Sequence, residues 1–124
     1  MDVVLEQKIN FIQRMLALRN CSKKHLPIND SIIAYDLILF IANCYYENQP
    51  IIVKELFNTQ PYSYTAVRQH YKRLIDNQYI TLKSHETDNR IKYILPTDKL
   101  INAVNNYSKN ASIVLGLLPP TPII

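Results

Sequence analysis

The spacing of apolar positions divides the chain into stretches of two different periods. Between residues 2 and 20, Leu5, Ile9, Ile12 and Leu16 recur every three or four positions, and Val4, Phe11, Met15 and Leu18 widen the stripe. This predicts a helix whose apolar arc is broader than one contact needs. Such a helix either lies across the core of its own domain or packs on a second copy, and the arc alone leaves both open. Residues 20–29 are polar, hold Lys23, Lys24, His25 and Pro27, and read as a linker. From 31 to 47 the chain is apolar nearly all round, with Ile32, Ile33, Leu37, Ile38, Phe40 and Ile41. That predicts a central, buried helix, capped by Asp30 or Ser31 and stopped by Pro50. Ile51 and Ile52 read as a strand-like pair.

The next stretch predicts two helices and a turn. Residues 53–59 form a short helix with Leu56 and Phe57 inward, and Gln60, Pro61 and Tyr62 make the turn. A helix then runs from Ser63, whose hydroxyl can cap it, to Asn77. Val67, Tyr71 and Leu74 give its apolar face, and Tyr64, Thr65, Arg68, Gln69, Lys72 and Arg73 its polar one, with Asp76 as the single acid at the far end. His70 falls on the flank and reads as polar surface. After Asn77 the period changes to two. Residues 79–83 and 90–95 alternate as strands around a polar tip at 84–89, which makes a β-hairpin. Thr97 and Asp98 start a last helix with Leu100, Ile101, Val104 and Tyr107 inward. An apolar tail at 111–118 and a Pro-rich end at 119–124 follow, and the tail is expected to pack on a partner subunit or the first helix.

The order of elements gives the fold class. It is mainly α with a small β-hairpin (α+β), a winged helix-turn-helix with additional N- and C-terminal helices. One domain spans 1–124: a dimerisation helix and linker at 1–29, a winged-helix core at 30–96, and a C-terminal helix and apolar tail at 97–124.

Composition narrows the function. Fourteen Lys and Arg against ten Asp and Glu give a net charge of +4, which permits a nucleic-acid partner without requiring one. A single glycine argues against a glycine-rich phosphate loop or dinucleotide turn. Cys21 and Cys44 are too few for a disulfide framework and read as free thiols in a reducing compartment. Lys23 and Lys24 beside Cys21 favour its thiolate, although an inert thiol is the simpler reading. His25, His70 and His85 have no ligand-spaced partner, so no metal, cofactor or catalytic activity is expected. No signal peptide and no membrane-length apolar run occur, which points to a cytoplasmic protein.

Val53-Lys-Glu-Leu56, the stretch from Ser63 through Ile80, and the wing Asp88-Asn-Arg90 followed by Lys92 and Thr97 resemble the MarR-type winged-helix transcriptional regulators over residues 30–107. In that family a D-x-R wing leads into a short strand, a threonine opens the next helix, and terminal helices build a two-fold dimer. The resemblance also leaves room for a small-molecule effector or an oxidant signal, for which no residue here can be named. Where relatives often have glycine after the recognition helix this chain has Gln78, so Asn77 is expected to take the left-handed turn.

The expected function is therefore sequence-specific binding of double-stranded DNA by a homodimer on a pseudo-palindromic site, acting as a repressor. Arg68 is the first choice for a base contact and Gln69 the second, with Tyr64 and Thr65 beside them. Ser63, Lys72 and Arg73 suit phosphates. Arg90 either enters the adjacent minor groove or braces against Asp88, and Lys83 and Lys92 add backbone charge. The rival reading is a winged helix used for protein contact, as an assembly or anti-repressor module without DNA binding. Over residues 53–92, seven Lys and Arg face four acids, an excess small enough to keep that rival in view.

Overall fold

A computed structural model describes residues 2–119. Its elements are α1 (Val3–His25), α2 (Ile32–Tyr46), α3 (Val53–Thr59), α4 (Tyr64–Asp76), β1 (Ile80–Ser84), β2 (Lys92–Pro96) and α5 (Asp98–Val114). They fall into two compact units. One comprises the chain up to Pro27 and from Ala103 onward; the other is Ile28–Asn102.

The Ile28–Asn102 unit is built on α2. Its N-cap is Ser31, whose hydroxyl accepts from the Ala34 amide at 3.2 Å. Asp30 cannot cap, because Asn29 and Asp30 have φ of 46° and 62° and turn the chain just before the helix. Only one stripe of α2 is buried, formed by Ala34, Leu37, Ile38 and Ile41, while Ile32 stays 57% and Leu39 40% exposed. The expectation of a helix buried all round therefore fails. In so small a unit the elements packed on α2, α4 and β2, cover only one side of it. Leu37, Ile38, Ile41, Leu56 and Val67 have no exposed surface and form the centre of this core.

The wing is a two-stranded antiparallel sheet, with Ile80 opposite Pro96 and Ser84 opposite Lys92. Both strands start one or two residues later than the alternation suggested. The Ile51–Ile52 pair adds a short third rung: the Ile94 amide donates to the Ile51 carbonyl at 2.7 Å, and Ile52 bridges Tyr93. This ties the hairpin to the start of α3.

The end of α4 corrects one expectation. The left-handed residue is Gln78 (φ 63°), and Asn77 keeps φ of −93°. The Tyr79 amide bonds back to the Leu74 carbonyl at 2.9 Å and the Gln78 amide to Ile75 at 3.0 Å, the two bonds of a Schellman closure. That pattern places the left-handed position at residue 78 whatever side chain is there. Thr97 fastens the same turn, its hydroxyl lying 2.8 Å from the Gln78 carbonyl and 3.0 Å from that of Tyr79. Lys99 donates to the Asn77 carbonyl at 3.0 Å, a cation at the negative end of α4, and its ammonium sits 4.3 Å from the centre of the Tyr79 ring.

In the other unit α1 runs to His25, into the stretch read as linker. Nothing between residues 20 and 26 breaks a helix, and Lys23, Lys24 and His25 suit its C-terminal dipole. The Ser22 hydroxyl donates back to the Arg19 carbonyl at 2.6 Å, and Pro27 ends the run. Helix α5 likewise continues to Val114, through part of the predicted tail. It closes on the chain's one glycine, Gly116 (φ 75°), with the Leu117 amide bonded to the Ser112 carbonyl at 2.8 Å. The Pro-rich end beyond Pro119 lies outside the described residues. On α1 the predicted stripe faces outward: Leu5, Ile9, Ile12 and Leu16 are 48, 42, 54 and 59% exposed.

Both cysteines are free and half-buried. Burial pushes the Cys21 thiol above its ordinary range and outweighs the opposing charge of Lys24, so the neighbouring lysines do not activate it. Burial also raises the Cys44 thiol, helped by Glu55 and Glu47.

A left-handed conformation at a non-glycine residue costs about 1 kcal/mol. Gln78→Gly is thus expected to raise stability by about 0.5–1 kcal/mol, read as a higher denaturant midpoint at unchanged slope. A lower midpoint would mean that the Gln78 side chain contributes more than its backbone costs.

Candidate nucleic-acid interface

Helix α4 is held so that its polar face stays open. Val67 and Leu74 sink its opposite side into the core. The Ser63 hydroxyl accepts from the Ala66 amide at 3.2 Å and fixes the first turn. Phe57 of α3 packs on two rings of α4, Tyr64 at 5.0 Å and Tyr71 at 5.3 Å between centroids. The connecting turn is tied to α2 by the Tyr62 hydroxyl, which donates to the Asp36 carboxylate at 2.5 Å. That bond, with some burial, raises the Tyr62 phenol above its ordinary range.

His70 is not the surface residue the sequence suggested. It is half-buried, and its Nε2 lies 3.2 Å from the Ser31 hydroxyl at the start of α2. Its Nδ1 is buried and has no hydrogen-bond partner among the described residues. Burial, and secondly the charge of Arg73, lowers its pKa and keeps the ring neutral at physiological pH.

The wing tip is organised by a histidine and an ion pair. His85 Nδ1 lies 3.2 Å from the amides of Thr87 and Asp88 and accepts from them. Asp88 accepts from the Arg90 guanidinium at two atoms, 3.0 and 3.1 Å, and from the Arg90 amide at 3.0 Å. These bonds hold the Asp88 carboxyl below the usual range and push Arg90 upward. The Arg90 side chain nevertheless stays 91% exposed, so bracing the tip and presenting the cation are compatible roles.

The predicted residues do not all meet in one place. Tyr64, Arg68 and Lys72 line a groove of about 690 Å³ together with Arg90 and Lys92. Lys54, from the first turn of α3, lines it too; the sequence marks it within Val53-Lys-Glu-Leu56 and in the charge excess of 53–92, but not as a DNA contact. Its signal in the sequence was only a lysine next to the start of a short helix; the groove that makes it relevant comes from the hairpin. Thr65 and Gln69 are exposed on the outer crest of α4. Arg73 is half-buried on the flank shared with His70. Lys83 stands apart. It pairs with Tyr93 in the register, one residue out of phase with the Ser84 and Lys92 pair, so it projects from the other face of the hairpin. There it lines a second cavity with Tyr45, Pro50 and His85. Among the described residues, no group of three or more His, Cys, Asp or Glu side chains could hold a metal ion, and no helix is long and apolar enough to cross a membrane.

Two helices joined by a tight turn, the second beside a β-hairpin with a paired Asp-x-Arg tip, define a winged helix-turn-helix. No family model and no curated protein matches the chain. Among solved structures it is similar to the transcriptional regulator Tm0710 from Thermotoga maritima, at 16% identity over 94% of this chain and 78% of that one, with a TM-score of 0.64. It is similar to a MarR protein from Peptoclostridium difficile at 20% identity, over 98% of this chain and 77% of that one, with a TM-score of 0.53. A third such structure is the adhesin competence repressor AdcR from Streptococcus pyogenes, at 14% identity over 94% and 78% of the two chains, with a TM-score of 0.52. The fold is that of MarR-type winged-helix regulators.

If Asp88 orders the wing, Asp88→Ala will speed amide hydrogen exchange at residues 85–91 while leaving exchange at Leu37 and Val67 unchanged. Equal protection of the tip in both proteins would assign its order to the His85 contacts alone.

Proposed function

We propose that the protein is a sequence-specific regulator of transcription that binds double-stranded DNA as a homodimer and acts as a repressor. The observation that carries this reading is the placement of Lys54, Arg68, Lys72, Arg90 and Lys92 around one groove between α4 and the wing, with Asp76 as its single acid. A cationic track beside an open helix suits a phosphate backbone with base edges next to it. In this reading Arg68 and Gln69 contact bases, flanked by Tyr64 and Thr65. Ser63, Lys54, Lys72, Arg73 and Lys92 hold phosphates, and Arg90 approaches the minor groove. Lys83, on the far face of the hairpin, contributes only long-range charge. The repressing direction is supported by the fold neighbour from Streptococcus pyogenes, itself described as a repressor.

Binding to DNA is expected to weaken steeply with salt, and absence of binding at low salt would sink the reading. Lys54→Ala and Lys72→Ala should each weaken all sequences alike and flatten the logarithmic salt slope by about 1. Arg68→Ala should instead relax discrimination at one base position, by about 1–3 kcal/mol. A uniform loss with Arg68→Ala would move Arg68 among the phosphate contacts.

The dimer reading is supported by the outward stripe of Leu5, Ile9, Ile12 and Leu16, a face too apolar to be left in water. Replacing Ile12 and Leu16 together by Glu should yield a monomer in sedimentation, with the described fold retained by circular dichroism. Retention of a dimer would place the interface elsewhere.

A further inference from the structure

His70 is a titratable group that the groove does not use. At about 100° per helical residue it stands about 200° from Arg68, on the face of α4 opposite the groove. There its Nε2 lies 3.2 Å from the Ser31 hydroxyl, which also accepts from the Ala34 amide and caps α2. One oxygen thus joins the start of α2 to the middle of α4. The other ring nitrogen, Nδ1, is buried and has no hydrogen-bond partner among the described residues. A neutral imidazole tolerates this with its proton on Nε2, donated to Ser31, and a bare lone pair on Nδ1. An imidazolium carries a proton on both nitrogens, and the second would be buried without an acceptor. The surrounding charges do not favour a cation either. Arg73, on the same helix, opposes one. On α2 the single charged residue, Asp36, accepts from the Tyr62 hydroxyl. Asp30 precedes Ser31 and is not among the groups acting on the ring. Of the other elements packed on α4, α3 brings Lys54 to the groove and Glu55 toward Cys44, and β1 turns Lys83 to the second cavity.

We propose that His70 positions α4 on α2 and does so only while neutral, so that uptake of a proton dismantles the Ser31–His70 joint and loosens the reading helix. The charged ring leaves its site for water, because only there does Nδ1–H find an acceptor, and α4 loses its tie to the start of α2. The joint follows from the packing alone; only its consequence for DNA rests on the function proposed above. Above the ordinary histidine pKa, about 6.5, the ring is neutral in both folded and unfolded chains and the joint contributes in full. As pH falls below that value the unfolded chain takes up the proton while the buried ring resists it. Acid therefore favours unfolding, by up to about tenfold in the equilibrium constant per pH unit.

The test follows the His70 ring of the full chain by NMR from about pH 8 to about pH 5. The ring is expected to titrate below the ordinary histidine value, with the amides of Ser31, Ala34 and the residues around His70 moving at the same midpoint. Ser31→Asp keeps a capping oxygen but sets a carboxylate against Nε2, so it should raise that midpoint. His70→Gln keeps an amide donor for the Ser31 oxygen and cannot titrate. Its unfolding equilibrium should therefore change less on acidification than that of the natural chain, by up to about tenfold per pH unit. DNA affinity should also fall less in His70→Gln, measured at pH values where circular dichroism shows both proteins folded. A ring that titrates at or above the ordinary value, an unmoved midpoint in Ser31→Asp, or equal pH dependence of stability in His70→Gln would overturn the joint. Equal loss of DNA affinity in the two proteins would overturn its control of the reading helix. If the ring titrates as expected yet the chain binds no DNA at low salt, the joint stands and the DNA reading alone falls.

Discussion

Helix α4 has to be anchored on one side and left bare on the other, and the rest of the Ile28–Asn102 unit follows from that division. Val67 and Leu74 bury the anchored side, each contributing about 1.5–3 kcal/mol by removal from water. Helices α2 and α3 and strand β1 pack on α4. Both ends of the helix are pinned as well: Ser63 caps the first turn, while Thr97 and Lys99 hold the carbonyls at the last. With so much of the helix fixed, the orientation of its polar face is set by the core rather than by any ligand. That is the preorganisation a reading surface needs, because little side-chain and backbone freedom is left to lose on binding.

The wing extends the same surface by a different route. Strand alternation alone decides that Lys92 and Leu82 share the face turned to the groove while Lys83 and Tyr93 share the other. The rung at Ile51–Ile52 couples the hairpin to the start of α3, and so brings Lys54 beside Arg90 and Lys92. A modest charge excess over the whole segment thereby becomes a concentrated one. Five cations and a single acid surround one groove, although the full chain carries a net charge of only +4. Local field depends on this clustering more than on net charge.

The unit made from the two chain ends obeys another logic. Its helices are capped well, by Asp2 at one end of α1 and by Gly116 after α5. Yet α1 leaves most of its apolar side chains in solvent. Helical local structure is complete there while apolar burial is not, and the homodimer proposed above would supply the missing cover.

Most of the architecture was determined by the sequence itself. The limits of α3 and α4, the Ser63 cap, the hairpin and the Asp88–Arg90 tip depend on contacts within a few residues, and periodicity and capping chemistry record such contacts directly. The longer extent of α1 and α5 was also local in origin, since no breaker precedes Pro27 or Gly116, but polar and apolar runs masked it. What only the tertiary structure decided were matters of long range. His70 meets Ser31 across 39 positions, and Tyr62 meets Asp36 across 26. The grouping of Lys54 with Arg68 and Arg90 and the one-sided burial of α2 depend likewise on how separate elements pack. A side chain's type can be read along the chain, whereas its neighbours in space are fixed only when the core closes.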